Sequence, residues 1–266
     1  MVKTAMNNET ENFGISAESV IGDRKYQQDF FMFASDTECT AVKECGLLAI
    51  VCDGMGGMEG GETASRVCAE HIYNGYYHMG KADDVCQTLR ELVTAADAEV
   101  AELTDHNGRR LISGTTVAAA VIRDGKAYWV SVGDSRIYYA HNGQLEQLTR
   151  DHNFRLLLQK RCDAGCITQE EVDNDRQREA LISYVGKGGG LLIDTGAIEL
   201  GEAENDMIVL CSDGLYKSLP EEDMRELMSR HAGNGQHLPW VLVHAAMASG
   251  RAVRNDNITV LAMYKK

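Results

Sequence analysis

Apolar residues along this chain recur with two kinds of spacing, and their order predicts the architecture. Runs that alternate or are apolar throughout fall at 13–20, 30–35 and 46–52, with the lengths and compositions of strands. From Gly61 to about His78 the step changes to three and four residues, carried by Ala64, Val67, Cys68, His71 and Ile72. That spacing predicts an amphipathic helix. A second helix is predicted from about Asp84 to Leu103 through Val85, Leu89, Leu92, Val93, Ala96 and Val100, with Asp83 or Asp84 as its N-cap. Strand signals return at Thr115–Ile122, Lys126–Val132 and Ile137–His141. Asp124-Gly125 joins the first two as a hairpin, and Asn142-Gly143 leads the third into Gln144–Leu148. Strands near 192–199, 207–212 and 258–264 and helices near 220–230 and 238–249 complete the pattern.

Residues 153–190 break this rhythm. They hold a helix near Phe154–Lys160, a short helix from Thr168-Gln169-Glu170-Glu171, and the loose run Gly186-Lys187-Gly188-Gly189-Gly190. The insert is too long for a hairpin loop, and long loops of this kind are usually functional. Strands on both sides of two paired helices, joined by hairpins and not by β-α-β units, point to antiparallel sheets. The expected fold is α/β (α+β): two stacked antiparallel sheets flanked by helices on both outer faces, an α-β-β-α sandwich.

At 266 residues and 44% hydrophobic the chain can bury a large core. No composition break divides it, so the expectation is a polar tail over 1–11 and one domain over 12–266. No run approaches the roughly 18–20 apolar residues of a membrane helix, and a basic-then-apolar leader is missing. A cytoplasmic protein that meets no membrane is expected. The net charge of −14 argues against a nucleic-acid partner, because phosphate backbones need clustered Lys and Arg. Of eight cysteines, Cys52, Cys68 and Cys211 sit in apolar runs as small hydrophobes, and no Cys-x-x-Cys pair exists. Cys162 and Cys166 make a weak zinc signal.

Five aspartates lie where apolar strand-like runs begin or end. Asp53, Asp134 and Asp213 close such runs, and Asp29 and Asp256 open them. In an antiparallel sheet all five can lie along one edge. Gathered without cations they would repel and raise one another's pKa values. A hard divalent ion such as Mg²⁺ or Mn²⁺, which takes oxygen ligands, resolves that conflict. Asp53-Gly54-Met55-Gly56-Gly57 is the sharpest motif, its glycines expected to turn the chain so that a carboxylate and a backbone carbonyl face an ion. Taken alone, an Asp-Gly after a strand is an ordinary turn; five such sites change that reading. Two ions about 3.5–4 Å apart hydrolyse phosphate esters with a shared water as nucleophile, and Asp53 is the natural bridge. Arg24 can reach the same edge and hold a phosphate, with a surface salt bridge as its equally weighted alternative.

Together these residues resemble the metal-dependent protein serine/threonine phosphatases, protein phosphatase type 2C, in their small free-standing bacterial branch. The match runs through Arg24-Lys25-Tyr26-Gln27-Gln28-Asp29, Asp53-Gly54-Met55-Gly56-Gly57, Ser113-Gly114-Thr115-Thr116, Val132-Gly133-Asp134-Ser135-Arg136, Cys211-Ser212-Asp213-Gly214 and Asn255-Asp256-Asn257-Ile258-Thr259-Val260. The resemblance implies that Asp53, Asp213 and Asp256 ligate a first Mg²⁺ or Mn²⁺, with Asp53 and the Gly54 carbonyl on a second. It implies that Asp29 holds a metal-bound water, that Arg24 grips the substrate phosphate, and that Asp134 and Asp213 favour a weaker third ion. Residues 153–190 would be a flap subdomain beside the site. Phosphorylated proteins would be the substrates, a serine/threonine kinase the opponent, and the chain a monomer.

Some positions depart from the family pattern. Met55 stands where animal members carry a histidine, Gln27 replaces an Asn and Gln28 a Glu. Asn153 follows His152 where Ser is usual, and the flap's His-Pro is missing near Asn174-Asp175. The competing readings are a regulatory module that keeps the fold and binds metal or phosphorylated partners, and a sandwich whose aspartates only cap turns. No core metal aspartate is replaced, which favours the enzyme.

Overall fold

The computed structural model describes residues 12–35, 39–56, 59–201, 206–231, 233–249 and 256–266. The tail expected over 1–11 lies outside these, as do Gly57 and Asn255 of the motifs above. The chain begins with β1 (Phe13–Val20), β2 (Asp29–Phe33), α1 (Thr40–Cys45) and β3 (Leu47–Gly56). It continues through α2 (Glu59–Met79), α3 (Val85–Ala101), β4 (Ser113–Thr115), β5 (Val117–Arg123), β6 (Lys126–Val132), β7 (Arg136–His141) and β8 (Gln144–Gln147). After α4 (Phe154–Asp163) and α5 (Gln169–Asn174) come β9 (Asp194–Glu199), β10 (Met207–Cys211), α6 (Asp213–Ser218), α7 (Glu221–Arg230), α8 (Leu238–Ala248) and β11 (Ile258–Lys265).

The strands form two antiparallel sheets, one ordered β1-β11-β10-β7-β8 and the other β2-β3-β5-β6-β9, with β4 continuing the second beside β3. Between the sheets pack Leu47, Ala49 and Val51 of β3, Ala118, Ala120 and Ile122 of β5, and Ile208, Leu210, Leu261 and Met263 from the opposite sheet. The other face of β3 and β5, carrying Leu48, Ile50, Cys52, Ala119 and Val121, packs on Ala64, Cys68, Ile72, Leu89 and Val93 of α2 and α3. On the far side Val209, Cys211, Val260 and Ala262 meet Leu215, Met224, Leu238 and Leu242 of α6, α7 and α8. Burial of both faces is why β3, β5 and β10 read as unbroken apolar runs. The expected α-β-β-α sandwich is the observed fold.

Local chemistry accounts for the boundaries. Asp84 caps α3 by accepting the Gln87 N–H at 3.0 Å. The two hairpin turns hold Asp124 and Asn142 at positive φ, 53° and 49°, which short Asx side chains tolerate. All eight cysteines are free thiols. Among the described residues no helix is long and apolar enough to cross a membrane.

The Asp53 motif departs from expectation. β3 does not turn after Asp53 but runs on to Gly56, paired to β4 with Met55 opposite Gly114. Gly54 is required for close approach: a Cβ there would sit 2.1 Å from the Gly61 carbonyl oxygen and 2.6 Å from that of Gln28. α2 accordingly begins at Glu59, not Gly61, with its first turn pressed on the strand. Gly54→Ala should therefore cost about 2 kcal/mol or more in denaturant unfolding, through overpacking against rigid backbone. A gain of about 0.4–1 kcal/mol, the usual effect of Ala where space is free, would contradict the packing.

Candidate metal centre

The acids do not lie along one sheet edge, as expected, but at the shared end of both sheets. Asp29 and Asp53 stand directly opposite each other on β2 and β3, and opposed residues project to the same face. Asp213 follows β10 and opens α6, and Asp256 lies two residues before β11, which pairs with β10. Asp134 sits in the link from β6 to β7, where the chain passes from one sheet to the other. All five sequence-predicted aspartates thus come together, with the Gly54 backbone and Arg24 alongside.

Hydrogen bonds fix this end of the molecule. The Asp53 N–H donates to Thr116 Oγ1 at 2.9 Å, and the Asp53 carbonyl accepts from Thr116 N at 2.9 Å and Thr115 Oγ1 at 3.0 Å. Thr116 Oγ1 in turn meets Ser135 Oγ at 2.7 Å, tying β5 to the Asp134 link. Ser212 Oγ donates to Asp29 Oδ2 at 2.7 Å and accepts from the Thr259 N–H at 3.0 Å. Asn257 pins the loop that carries Arg24. Its side-chain oxygen accepts from Gln28 N at 2.8 Å, and its amide donates to the carbonyls of Ile21 at 2.9 Å and Tyr26 at 3.1 Å.

Behind Asp134, Arg136 grips Asp151 through two bonds of 2.9 and 2.7 Å, and its guanidinium lies 3.5 Å over the Tyr216 ring. The Tyr216 hydroxyl donates to the Asp134 carbonyl at 3.0 Å. His152 is buried just before α4. It accepts the Gly133 N–H on Nδ1 at 3.2 Å, which leaves the proton on Nε2, 3.4 Å from Asp194. Burial lowers its pKa, so the ring stays neutral.

The electrostatics are unfavourable for carboxylates. Burial raises the Asp53 carboxyl well above its ordinary range, and the charges of Asp29, Asp213, Asp134 and Asp256 add to the effect. Burial pushes Asp29 up to about 7, opposed by hydrogen bonds from Ser212 and Thr259 and reinforced by Asp213 and Asp256. Asp134 rises to about 7 through burial and the Asp213 charge, with Lys217 opposing. One oxygen of Asp29, Oδ1, is buried without a hydrogen-bond partner. An orphaned buried carboxylate oxygen among repelling acids, with hard oxygen donors only, fits a divalent cation.

Two basic side chains reach the cluster. Lys217 bonds Asp213 and lies 3.9 Å from Asp134. Arg24 bonds Asp256 at 2.5 Å, so its salt bridge is real but lies within the cluster. Among the described residues no three acidic, His or Cys side chains close around one point; Asp213 and Asp256 turn to these cations instead. Lys217 and the anchoring role of Asn257 were missed in the sequence. The signal for Lys217 was its place four residues after Asp213, legible once a helix is expected there.

A pH dependence follows from the raised aspartates. With native pKa values of about 7 against an ordinary 3.8, Asp29 and Asp134 keep their protons longer in the native state. Their contribution is full below the unfolded value and is lost as pH rises toward 7. The thermal midpoint of metal-free protein should fall by several degrees from about pH 5 to about pH 8, and Asp29→Asn should flatten that fall. A midpoint independent of pH, or equally steep in Asp29→Asn, would contradict the assigned burial.

Comparison with known proteins places this geometry. A family model described as protein phosphatase 2C matches residues 19–236. The serine/threonine phosphatase stp of Listeria monocytogenes is 28% identical over 217 residues, covering 80% of this chain and 82% of that one. The solved S. agalactiae serine/threonine phosphatase superposes with a TM-score of 0.75 at 26% identity, over 96% of this chain and 100% of that one. The catalytic domain of the phosphatase PstP, solved in complex with 2 manganese ions, shares the fold at a TM-score of 0.71 and 24% identity, over 95% and 97% of the two chains. A carboxylate cluster at the common end of two stacked sheets, in a chain that matches this model over most of its length, makes the protein a member of the protein phosphatase 2C family of serine/threonine phosphatases.

Proposed function

We propose that this phosphatase hydrolyses phosphoserine and phosphothreonine on proteins with Mg²⁺ or Mn²⁺ held by Asp53, Asp213 and Asp256, and that it opposes a serine/threonine kinase. The observation that carries the reading is the convergence of five aspartates, in which Asp53's own burial and the charges of the other four hold it well above the ordinary carboxylate range. Asp53 and the Gly54 carbonyl would hold a second ion, Asp29 would orient a water, and Asp134 with Asp213 would favour a third ion. When bound, the ions would supply a water that is acidic near neutral pH and offset charge on the phosphoryl oxygens.

The chain's own groups do the remaining work. Asp256 and Arg24 are both substantially exposed, and such a pair is worth about 0–1 kcal/mol, so Arg24 is readily released to fork onto a phosphate. Asn257 keeps its loop in reach by holding Ile21, Tyr26 and Gln28. Ser212 and Thr116 hold Asp29 and the Asp53 backbone in place while charge changes around them. Met55 offers no proton, so a leaving-group alkoxide is protonated by water. Residues 153–190 form the flap of one catalytic domain, its base tied down where Val185 and Thr115 exchange backbone bonds of 2.8 and 2.9 Å beside Asp53.

Phosphate release from a phosphothreonine peptide should vanish with EDTA and return with Mn²⁺; none under any divalent ion, from folded protein, would favour a binding module. Asp213→Asn should lower kcat about 100-fold or more with the fold intact, on the scale of losing one preorganised electrostatic group. A wild-type rate in that variant would refute the site. Arg24→Ala should raise KM roughly tenfold or more, the worth of a charged hydrogen bond. A loss of kcat at unchanged KM would place Arg24 in the chemistry instead.

A further inference from the structure

Beside the carboxylates, a groove of about 580 Å³ starts at Met55 and Gly56 and runs between Arg110, Leu111, Ile112, Tyr184 and Lys187. We propose that it is the subsite for the substrate segment flanking the phosphorylated residue, and that it selects an apolar side chain accompanied by a carboxylate. The proposal rests on the phosphatase reading above and adds the sequence preference.

Its position supports this. Met55 is two strand residues beyond Asp53, about 7 Å along β3 at the rise of an extended chain. An extended peptide anchored at the carboxylates by its phosphate would therefore set a residue about two positions away in the groove. The apolar part is unusually bare: Ile112 is 95% exposed beside Leu111, Met55 and Tyr184. Burying such a surface against a ligand side chain is favourable.

The groove is also built and held open. The Tyr184 ring packs on Gly114, where a Cβ would stand 2.5 Å from it. Val185 pairs with Thr115 on β4. The glycine-rich run wraps the buried Asp97 carboxylate of α3, which accepts N–H bonds from Gly186 at 2.7 Å, Gly188 at 3.2 Å and Gly189 at 2.6 Å. The anion this run holds is the chain's own, and the effect is to fix Lys187 at the groove's rim.

The charge gives the second half of the selectivity. Arg110 is already engaged with Glu102 at 3.2 Å and the Ala101 carbonyl at 2.5 Å. Lys187 donates to the Ile182 carbonyl at 3.1 Å and, among the described residues, forms no ion pair. On a chain of net charge −14 an unneutralised ammonium at the rim is a specific attraction for an acidic side chain.

The test compares phosphothreonine peptides carrying Leu-Glu or Ala-Lys at each position within about three residues of the phosphate. Each kcat/KM is divided by that for p-nitrophenyl phosphate, which has no flanks. At one side, Leu-Glu should win by about tenfold or more, roughly 1.4 kcal/mol. Lys187→Glu should reverse the acidic-over-basic preference, and Ile112→Ala should shrink the apolar one. Anisotropy of labelled, non-hydrolysed phosphonate peptides should rank the same way. No discrimination at any position, or an unreversed preference in folded Lys187→Glu, overturns the proposal. If neither substrate is turned over, the phosphatase reading fails, and the anisotropy ranking still decides the groove.

Discussion

Asp29 and Asp53 face each other across one strand pair, and nothing in the sheet can separate them. Stacking the second sheet brings Asp213 and Asp256 against the same end, and the crossing link adds Asp134. Burial of Asp29, Asp53 and Asp134 there removes much of the water that would screen the cluster's charge. The native state accommodates them by raising the pKa values of Asp53, Asp29 and Asp134 and by drawing Lys217 and Arg24 onto the remaining two. This conflict is confined to one end; the three hydrophobic layers behind it carry the stability that tolerates it.

The surroundings then make sense as restraints on a repelling cluster. Thr116, Ser135 and Ser212 supply short hydroxyl contacts where a longer side chain would move. Arg136, stacked on Tyr216 and paired to Asp151, holds the Asp134 link from behind. Asn257 commits its whole amide to the loop that carries Arg24, so that guanidinium sits on a fixed mount beside the cluster. Residues 185–189 add a further fixed wall, paired to Thr115 through Val185 and bonded to Asp97 of α3.

Much of this was legible in the sequence, for physical reasons. β3, β5 and β10 announce themselves because both faces are buried, and α2 and α3 because only one face is. The five aspartates stood out because each borders such a run. What escaped reading depends on tertiary contact. The Asp53-Gly54 step looked like a turn, since Gly54's close approach to Gly61 exists only in the folded chain. α1 and α6, six residues each, are too short to show a period, so Lys217 was not seen to share a helix with Asp213. The Gly186–Gly190 run gave no hint of its partner, because Asp97 is far away in sequence on α3.

The most direct test of the central claim is the proton count on Mn²⁺ binding. It would be measured by calorimetry at about pH 6.5 in buffers of different ionisation enthalpy. If buried, mutually repelling aspartates are the ligands, each binding event should release protons, and Asp53→Asn should abolish most of the binding. Binding that releases no protons and survives Asp53→Asn would mean that the cluster is not what holds the ion.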